Sequence, residues 1–147
     1  MERIMGKCAP HLYSLLRIIA GLLFACHGAQ KLFGLFGGVG GQPGAAVPLL
    51  SLMGLAGCIE LIGGLLIACG VLTSYAAFVA SGEMAFAYFT AHFPHGFWPM
   101  RNGGELAVLY CFLFLYIAAN GTGVWGLGRR TLRPTERAAR EASSMRA

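Results

Sequence analysis

Four long apolar segments constrain the fold of this chain more than any other feature. They cover about 12–33, 48–71, 74–92 and 105–120. At a rise of about 1.5 Å per residue, helices of this length approach or exceed the roughly 30 Å hydrocarbon core of a bilayer. The stretches 34–44 and 94–104 between them are rich in glycine and proline, which disfavour helix. The pattern predicts an all-α polytopic membrane protein, a four-transmembrane-helix bundle.

The composition excludes most soluble classes of protein. Hydrophobic residues make up 56% of the chain and charged residues only 12%, about half the share typical of soluble domains. Four spans with short connections use nearly all of the 147 residues, which leaves no room for a separate soluble catalytic domain. We therefore expect one membrane domain over 1–126 and a basic cytoplasmic tail over 127–147.

The distribution of positive charge predicts the topology. Arg3, Lys7 and six arginines after the last segment outnumber the single arginine of the two long loops, Arg101. By the positive-inside rule, both termini lie in the cytoplasm and the long loops lie outside, as in a multi-pass protein of the bacterial inner (cytoplasmic) membrane. A basic tail beside a span is typical of such a topology signal, so the partner we expect is the lipid bilayer and not nucleic acid.

Ionisable groups within the apolar segments are the candidate catalytic residues. A charge inside a bilayer is costly, so such residues are rare and usually have a functional role. His27 and Lys31 are four residues apart and share one helix face. Side chains lean toward the N-terminus of their helix, which brings Glu60 on the antiparallel second span toward that face. We predict an outward-facing acid–base pair of Glu60 with His27 or Lys31. The alternative is a structural ion pair that fixes the register of the helices.

Two further charged residues have open assignments. Glu83 lies near the middle of the third span and either pairs with Arg17 or joins Glu60. Arg17 could equally extend to the cytoplasmic surface.

The second long loop carries polar groups that are suited to the mouth of a pocket and to binding a cofactor. These groups are His92, His95, Asn102 and Glu105. The spacing of the two histidines matches no known metal motif, and we predict no metal site. Motifs typical of hydrolases and nucleotide-driven pumps are absent from the sequence. The five cysteines include no C-x-x-C, although Cys26 and Cys58 could approach each other as a redox pair.

Four motifs occur in order along the chain and together resemble the DoxX family of small four-helix membrane proteins. They are His27-Gly28-x-x-Lys31-Leu32-Phe33-Gly34, Gly57-x-x-Glu60-Leu61-x-Gly63-Gly64, His92-x-Pro94-His95-Gly96-Phe97-x-Pro99 and Asn102-Gly103-Gly104-Glu105. The resemblance implies an association with membrane redox systems, such as a small subunit of thiosulfate:quinone oxidoreductase. It also implies that partners are other membrane or redox proteins. Related disulfide-reducing quinone enzymes use a C-x-x-C, so its absence here counts against thiol chemistry.

Two functional hypotheses follow from the sequence. The first is a membrane oxidoreductase component whose pocket holds a quinone or a small redox partner, with Glu60 and either His27 or Lys31 moving protons. The second is a non-catalytic anchor or assembly subunit of a redox complex. Association with a second copy of the chain is compatible with both hypotheses.

Overall fold

The computed structural model describes residues 2–128. All regular secondary structure in this range is helical. The long helices are α1 (Glu2–Phe33), α2 (Leu52–Cys69), α3 (Thr73–Ala87) and α4 (Glu105–Asn120). Short turns of helix lie in the two long connections, at Val39–Gly41, Phe93–His95 and Pro99–Asn102.

The helix boundaries differ from the apolar segments where local chemistry overrides hydropathy. Helix α1 begins at Glu2, well before the apolar run, and includes Pro10 within its first turns. The second apolar segment begins at Pro48, whereas the second helix begins at Leu52. Pro48 forms a preceding turn, and Ser51 caps the helix by accepting a 3.0 Å hydrogen bond from the Gly54 amide.

The connection between α2 and α3 is as tight as the sequence predicts. Helix α2 ends at Cys69 and is followed by Gly70, which has φ +73°. The amides of Gly70 and Val71 then bond back to the carbonyls of Ile67 and Leu66. This pattern is a Schellman motif, for which glycine is favoured.

Glycines hold α1 and α2 in very close antiparallel contact. A Cβ atom added at Gly21 would lie 2.6 Å from the Gly64 carbonyl oxygen, and one added at Gly64 would lie 2.6 Å from the Gly21 carbonyl oxygen. One heptad along, a Cβ at Gly28 would lie 2.3 Å from the Leu61 amide nitrogen. Only glycine permits this approach of backbone to backbone, as in the small-residue interfaces of membrane helices.

Helices α3 and α4 form a second antiparallel pair. Ser81 donates a 2.8 Å hydrogen bond to the Cys111 carbonyl, and Thr73 and Thr122 hydroxyls are 3.1 Å apart at the other end. The two pairs meet through a buried aromatic cluster, in which the Phe24 ring is 4.7 Å from Phe114 and 5.5 Å from Tyr110. The core of the molecule is therefore a junction between two helix pairs.

The outward faces of the helices are apolar, which is the reverse of a soluble protein. Large hydrophobic side chains are exposed on every long helix, among them Leu15, Ile19, Leu22, Leu55, Ile62, Leu65, Phe78, Phe86, Leu109 and Phe112. By length and hydropathy, Met5–Phe33 and Leu52–Cys69 each suffice to cross a membrane, and Glu105–Asn120 is a shorter apolar helix. This surface is suited to contact with lipid.

Candidate functional site

A buried ion pair between α1 and α2 is the centre of the candidate site. The Lys31 Nζ lies 2.5 Å from the Glu60 Oε1. The Glu60 side chain is 3% exposed and that of Lys31 is 21% exposed, so the carboxylate is enclosed while the ammonium is partly open. Within the described residues, the second oxygen of Glu60 has no hydrogen-bond partner. That oxygen is free to accept a hydrogen bond or a proton.

The close glycine contacts position this pair. Lys31 follows Gly28 by about one helical turn, and Glu60 follows Gly57 by the same spacing. A Cβ at Gly28 would lie 2.6 Å from the Gly57 carbonyl oxygen, so the two backbones touch just beside the pair. The long lysine side chain therefore reaches the carboxylate across a very narrow interface.

A π-helical turn carries Glu60. Residues Ile59–Gly63 of α2 are π-helical, and the helix resumes its α geometry at Gly64. Such a turn inserts extra residues and changes the direction of side chains, and it is frequent at functional sites. A second π-helical turn, Tyr88–His92, continues α3 toward its end. Glu60 and His92 thus both lie on irregular turns that face one cavity.

That cavity has a volume of about 230 Å³ and lies at the junction of the two helix pairs. Its polar lining comes from Lys31, Glu60, His27, His92 and Tyr110. Apolar walls come from Phe24, Met84, Ala87, Leu106 and Ala107. The structure therefore brings His27, Lys31 and Glu60 together, as the sequence predicts, and pairs Glu60 with Lys31.

A larger groove lies on the other side of Lys31. It has a volume of about 440 Å³, runs between α2 and α3 and is lined mainly by apolar side chains. Its charged lining residues are Lys31 and Glu83. One oxygen of Glu83 is buried and has no hydrogen-bond partner in the described part of the chain. Glu83 interacts electrostatically with Glu60 and Lys31, which favours the alternative that joins it to Glu60, from a neighbouring pocket.

Arg17 does not pair with Glu83. It is completely buried and donates hydrogen bonds to the carbonyls of Ile67 and Ala68 at the C-terminal end of α2, and to the carbonyl of Trp125. A guanidinium there supplies additional donors to carbonyls of the last helical turn and complements the negative end of the helix dipole. The expectation that Arg17 pairs with Glu83 is therefore wrong, and so is the alternative that its side chain extends to the cytoplasmic surface.

Of the four polar residues predicted to bind a cofactor in the second loop, only one lines the cavity. His92 lines the cavity, and its Nδ1 lies 3.2 Å from the Asn102 carbonyl oxygen. Asn102 uses its side chain to order the loop, donating to Gly96 O and accepting from Gly104 N. His95 and Glu105 are exposed and do not line the cavity, and His95 Nδ1 lies 3.1 Å from the Ala91 carbonyl oxygen. Only His92 of this set is placed to contact a ligand in the cavity.

Sequence reasoning missed the contribution of α4. Tyr110 lines the cavity with its ring 6.3 Å from His27, edge to face. The signal in the sequence is a tyrosine hydroxyl within the apolar segment 105–120. This position lies outside the four motifs. Among residues 2–128, no group of three His, Cys, Asp or Glu side chains is arranged to hold a metal ion. All five cysteines are free thiols.

Comparison with known proteins identifies the family of this chain. The sequence matches DoxX over residues 12–93, more than half of the chain. The chain belongs to the DoxX family. It is also 38% identical over 130 residues to a Haemophilus influenzae protein described as uncharacterized, covering 86% of this chain and 95% of that one. No solved structure matches it.

Membership of the DoxX family supports the membrane-protein character that the apolar surface indicates. The residues matched to DoxX include both members of the Lys31–Glu60 ion pair. They also include His27, Glu83 and His92. Tyr110, which completes the cavity wall, lies beyond it.

Proposed function

We propose that this DoxX protein is the membrane component of a redox system and that its cavity binds the head group of a quinone. One observation carries the proposal: the buried Lys31–Glu60 pair faces a cavity of about 230 Å³ that has apolar walls and additional polar groups. Pockets for drug-sized ligands occupy roughly 300–1,000 Å³, so this one is suited to a single ring.

The side chains around the cavity fit such a ring. Lys31 and the His27 imidazole can donate hydrogen bonds to carbonyl oxygens, and Phe24 and Met84 exclude water from the flat faces. A quinone supplies reversible two-electron, two-proton chemistry. The free oxygen of Glu60 can hold a proton at the cavity, and the ammonium of Lys31 stabilises the carboxylate when that proton leaves.

The proposal includes a topology. All four helices cross the bacterial inner membrane, both termini lie in the cytoplasm, and the cavity opens toward the outer side. The excess of positive residues at the termini supports this orientation. The basic tail 127–147, apart from its first residues, lies outside the described part of the chain.

Ligand-induced stabilisation tests the proposed function. We expect a short-chain ubiquinone or menaquinone analogue to raise the unfolding temperature of the purified protein in detergent. A ligand at a hundredfold its Kd stabilises the native state by about 2.7 kcal/mol. His27→Ala and Lys31→Met should reduce this shift strongly.

His11→Ala is the matched control. His11 is exposed on the same helix, about 24 Å from His27 at the usual rise per residue, and its ring contacts Trp125. It should leave the shift unchanged. Equal shifts in all three variants, or no shift in the unaltered protein with either analogue, would exclude the cavity as a quinone site.

A second candidate function is that of a non-catalytic assembly subunit. The observation that favours it is an exposed aromatic loop, in which Phe97 is 65%, Trp98 63% and Met100 81% exposed. Exposed aromatic residues and methionine are enriched in protein interfaces. If this is the function, Trp98→Ala should abolish co-purification of partner proteins from native membranes, whereas Glu60→Gln should retain them.

A further inference from the structure

We propose that Lys31, Glu60 and Glu83 form a proton-exchange cluster in which the two carboxyl groups share one ammonium and one proton. Lys31 lines both the inner cavity and the groove between α2 and α3, so it lies between the two carboxyl groups. Of these two pockets, Glu60 lines the cavity and Glu83 lines the groove. Each carboxyl group has one buried oxygen without a hydrogen-bond partner among the described residues.

Charge balance gives the first step. Glu83 interacts electrostatically with both Glu60 and Lys31. One ammonium compensates one carboxylate, and a second, partly buried carboxylate would be left without a counter-charge. Two neighbouring carboxyl groups in this situation retain a proton between them. Because Lys31 contacts Glu60 at 2.5 Å, the retained proton is on Glu83 in the resting protein.

The other titratable groups around the cluster do not remove this requirement. His27 faces the cavity from α1, His92 from the end of α3 and Tyr110 from α4. The remaining buried cation, Arg17, is bound to backbone carbonyls at the C-terminal end of α2. Lys31 is the cation that acts on both acids, whereas His27 acts on Glu60 and not on Glu83. Glu83 therefore has no cation of its own among the described residues.

Exchange then takes two balanced proton transfers. The Lys31 ammonium donates a proton to the Glu60 carboxylate, which leaves a neutral amine and a neutral acid. The amine then turns toward the groove and takes the proton of Glu83, which becomes the carboxylate paired with the restored ammonium. The flexible four-carbon stem of lysine permits this change of partner. The net result is one proton moved from the groove side to the cavity side, with the total charge unchanged.

Infrared spectroscopy of the purified protein at pH 7 tests the proposal without any quinone. We expect one carbonyl stretch of a protonated carboxylic acid, sensitive to exchange in D2O, because exposed carboxyl groups are ionised at that pH. Glu83→Asp should shift this band, and Glu60→Asp should leave it in place. A band that moved only in Glu60→Asp would overturn the assignment, as would the lack of any such band.

Two further variants test the change of partner itself. Glu60→Gln should abolish the band, because Lys31 then pairs with Glu83 and that acid ionises. Lys31→Met should double the band, because both acids are then neutral. Glu105→Gln, an exposed carboxyl on α4, is the control and should leave the band unchanged. If the band persisted at full size in Glu60→Gln, Glu83 would be a static acid and the exchange would be excluded.

Discussion

At the scale of single residues, the buried Arg17 and the partly buried Lys31 on α1 have different partners and different roles. Arg17 is enclosed by backbone carbonyls and secures the C-terminal end of α2. Lys31 contacts a carboxylate beside a cavity. A guanidinium with five donors suits several carbonyls at once, whereas an ammonium on a flexible stem suits a pair that can change. The position of each cation along α1 therefore separates a structural from a candidate functional role.

We predict that Lys31→Met lowers the free energy of unfolding at pH 7 by about 3–5 kcal/mol, because Glu60 loses its counter-charge and must bind a proton to remain buried. The double variant Lys31→Met/Glu60→Leu should regain most of that loss, since it removes both charges. Thermal or SDS-induced unfolding in detergent micelles measures both effects. A double variant less stable than the single one would contradict this explanation.

We predict that Arg17→Lys destabilises the protein by about 2 kcal/mol, because an ammonium cannot reach the carbonyls of α2 and of Trp125 together. The emission of Trp125 should move to longer wavelength as its segment loosens. A Trp98→Phe background isolates that signal, since the chain has two tryptophans. An unchanged emission maximum would show that Arg17 does not secure the segment.

At the scale of the helices, glycine spacing determines how closely α1 and α2 approach. Gly21 and Gly28 face Gly64 and Gly57 so closely that backbone touches backbone. The π-helical turn Ile59–Gly63 then redirects Glu60 within that interface. Packing of α3 on α4 relies instead on alanines and the hydrogen bond from Ser81 to Cys111. The interface of α1 with α2 has no room for an added methyl group at Gly21, Gly28 or Gly64.

We predict that Gly28→Ala destabilises the protein by about 1–3 kcal/mol through overpacking, because its new methyl would lie 2.3 Å from the Leu61 amide nitrogen. Gly82→Ala on α3 is the matched control. Nothing lies within 4 Å of a Cβ added there, and alanine favours helix by up to about 1 kcal/mol. Unfolding temperatures of the two variants should therefore change in opposite directions, and equal changes would exclude the close contact.

At the scale of the whole molecule, the candidate site lies where two helix pairs meet. Phe24, Tyr110 and Phe114 fill the centre of that junction, and the cavity lies beside them. The exterior is apolar on every long helix. Lipid stabilises an arrangement in which polar groups are buried inside the protein and apolar groups are exposed on its outside.

We predict that reporter fusions show both termini in the cytoplasm and the loops after α1 and α3 outside. A reporter active only in the cytoplasm should function when joined at either terminus, and one active only outside should function in the loop near Gly96. An even number of crossings requires the two termini to agree. Termini on opposite sides would require an odd number of crossings and would contradict the topology with four spans.

The helices could be predicted largely from the sequence because they follow from local properties. Hydropathy and the glycine- and proline-rich breaks place α4 and the ends of α1 and α3 within a few residues. The early start of α1 at Glu2 and the delayed start of α2 at Leu52 could not be predicted in this way. The start of α1 depends on a polar helical extension, and the start of α2 depends on a serine cap. A hydropathy profile detects neither feature.

The sequence by itself determined that the chain is helical, apolar outside and provided with His27, Lys31 and Glu60 on facing helices, because helix geometry and side-chain direction follow from spacing alone. Only the tertiary structure decided that Lys31 is the partner of Glu60, that Arg17 binds carbonyls, and that Glu83 lines a separate groove together with Lys31. Those choices depend on contacts of a few ångströms between helices and on π-helical turns that rotate side chains. A sequence pattern does not contain that geometry.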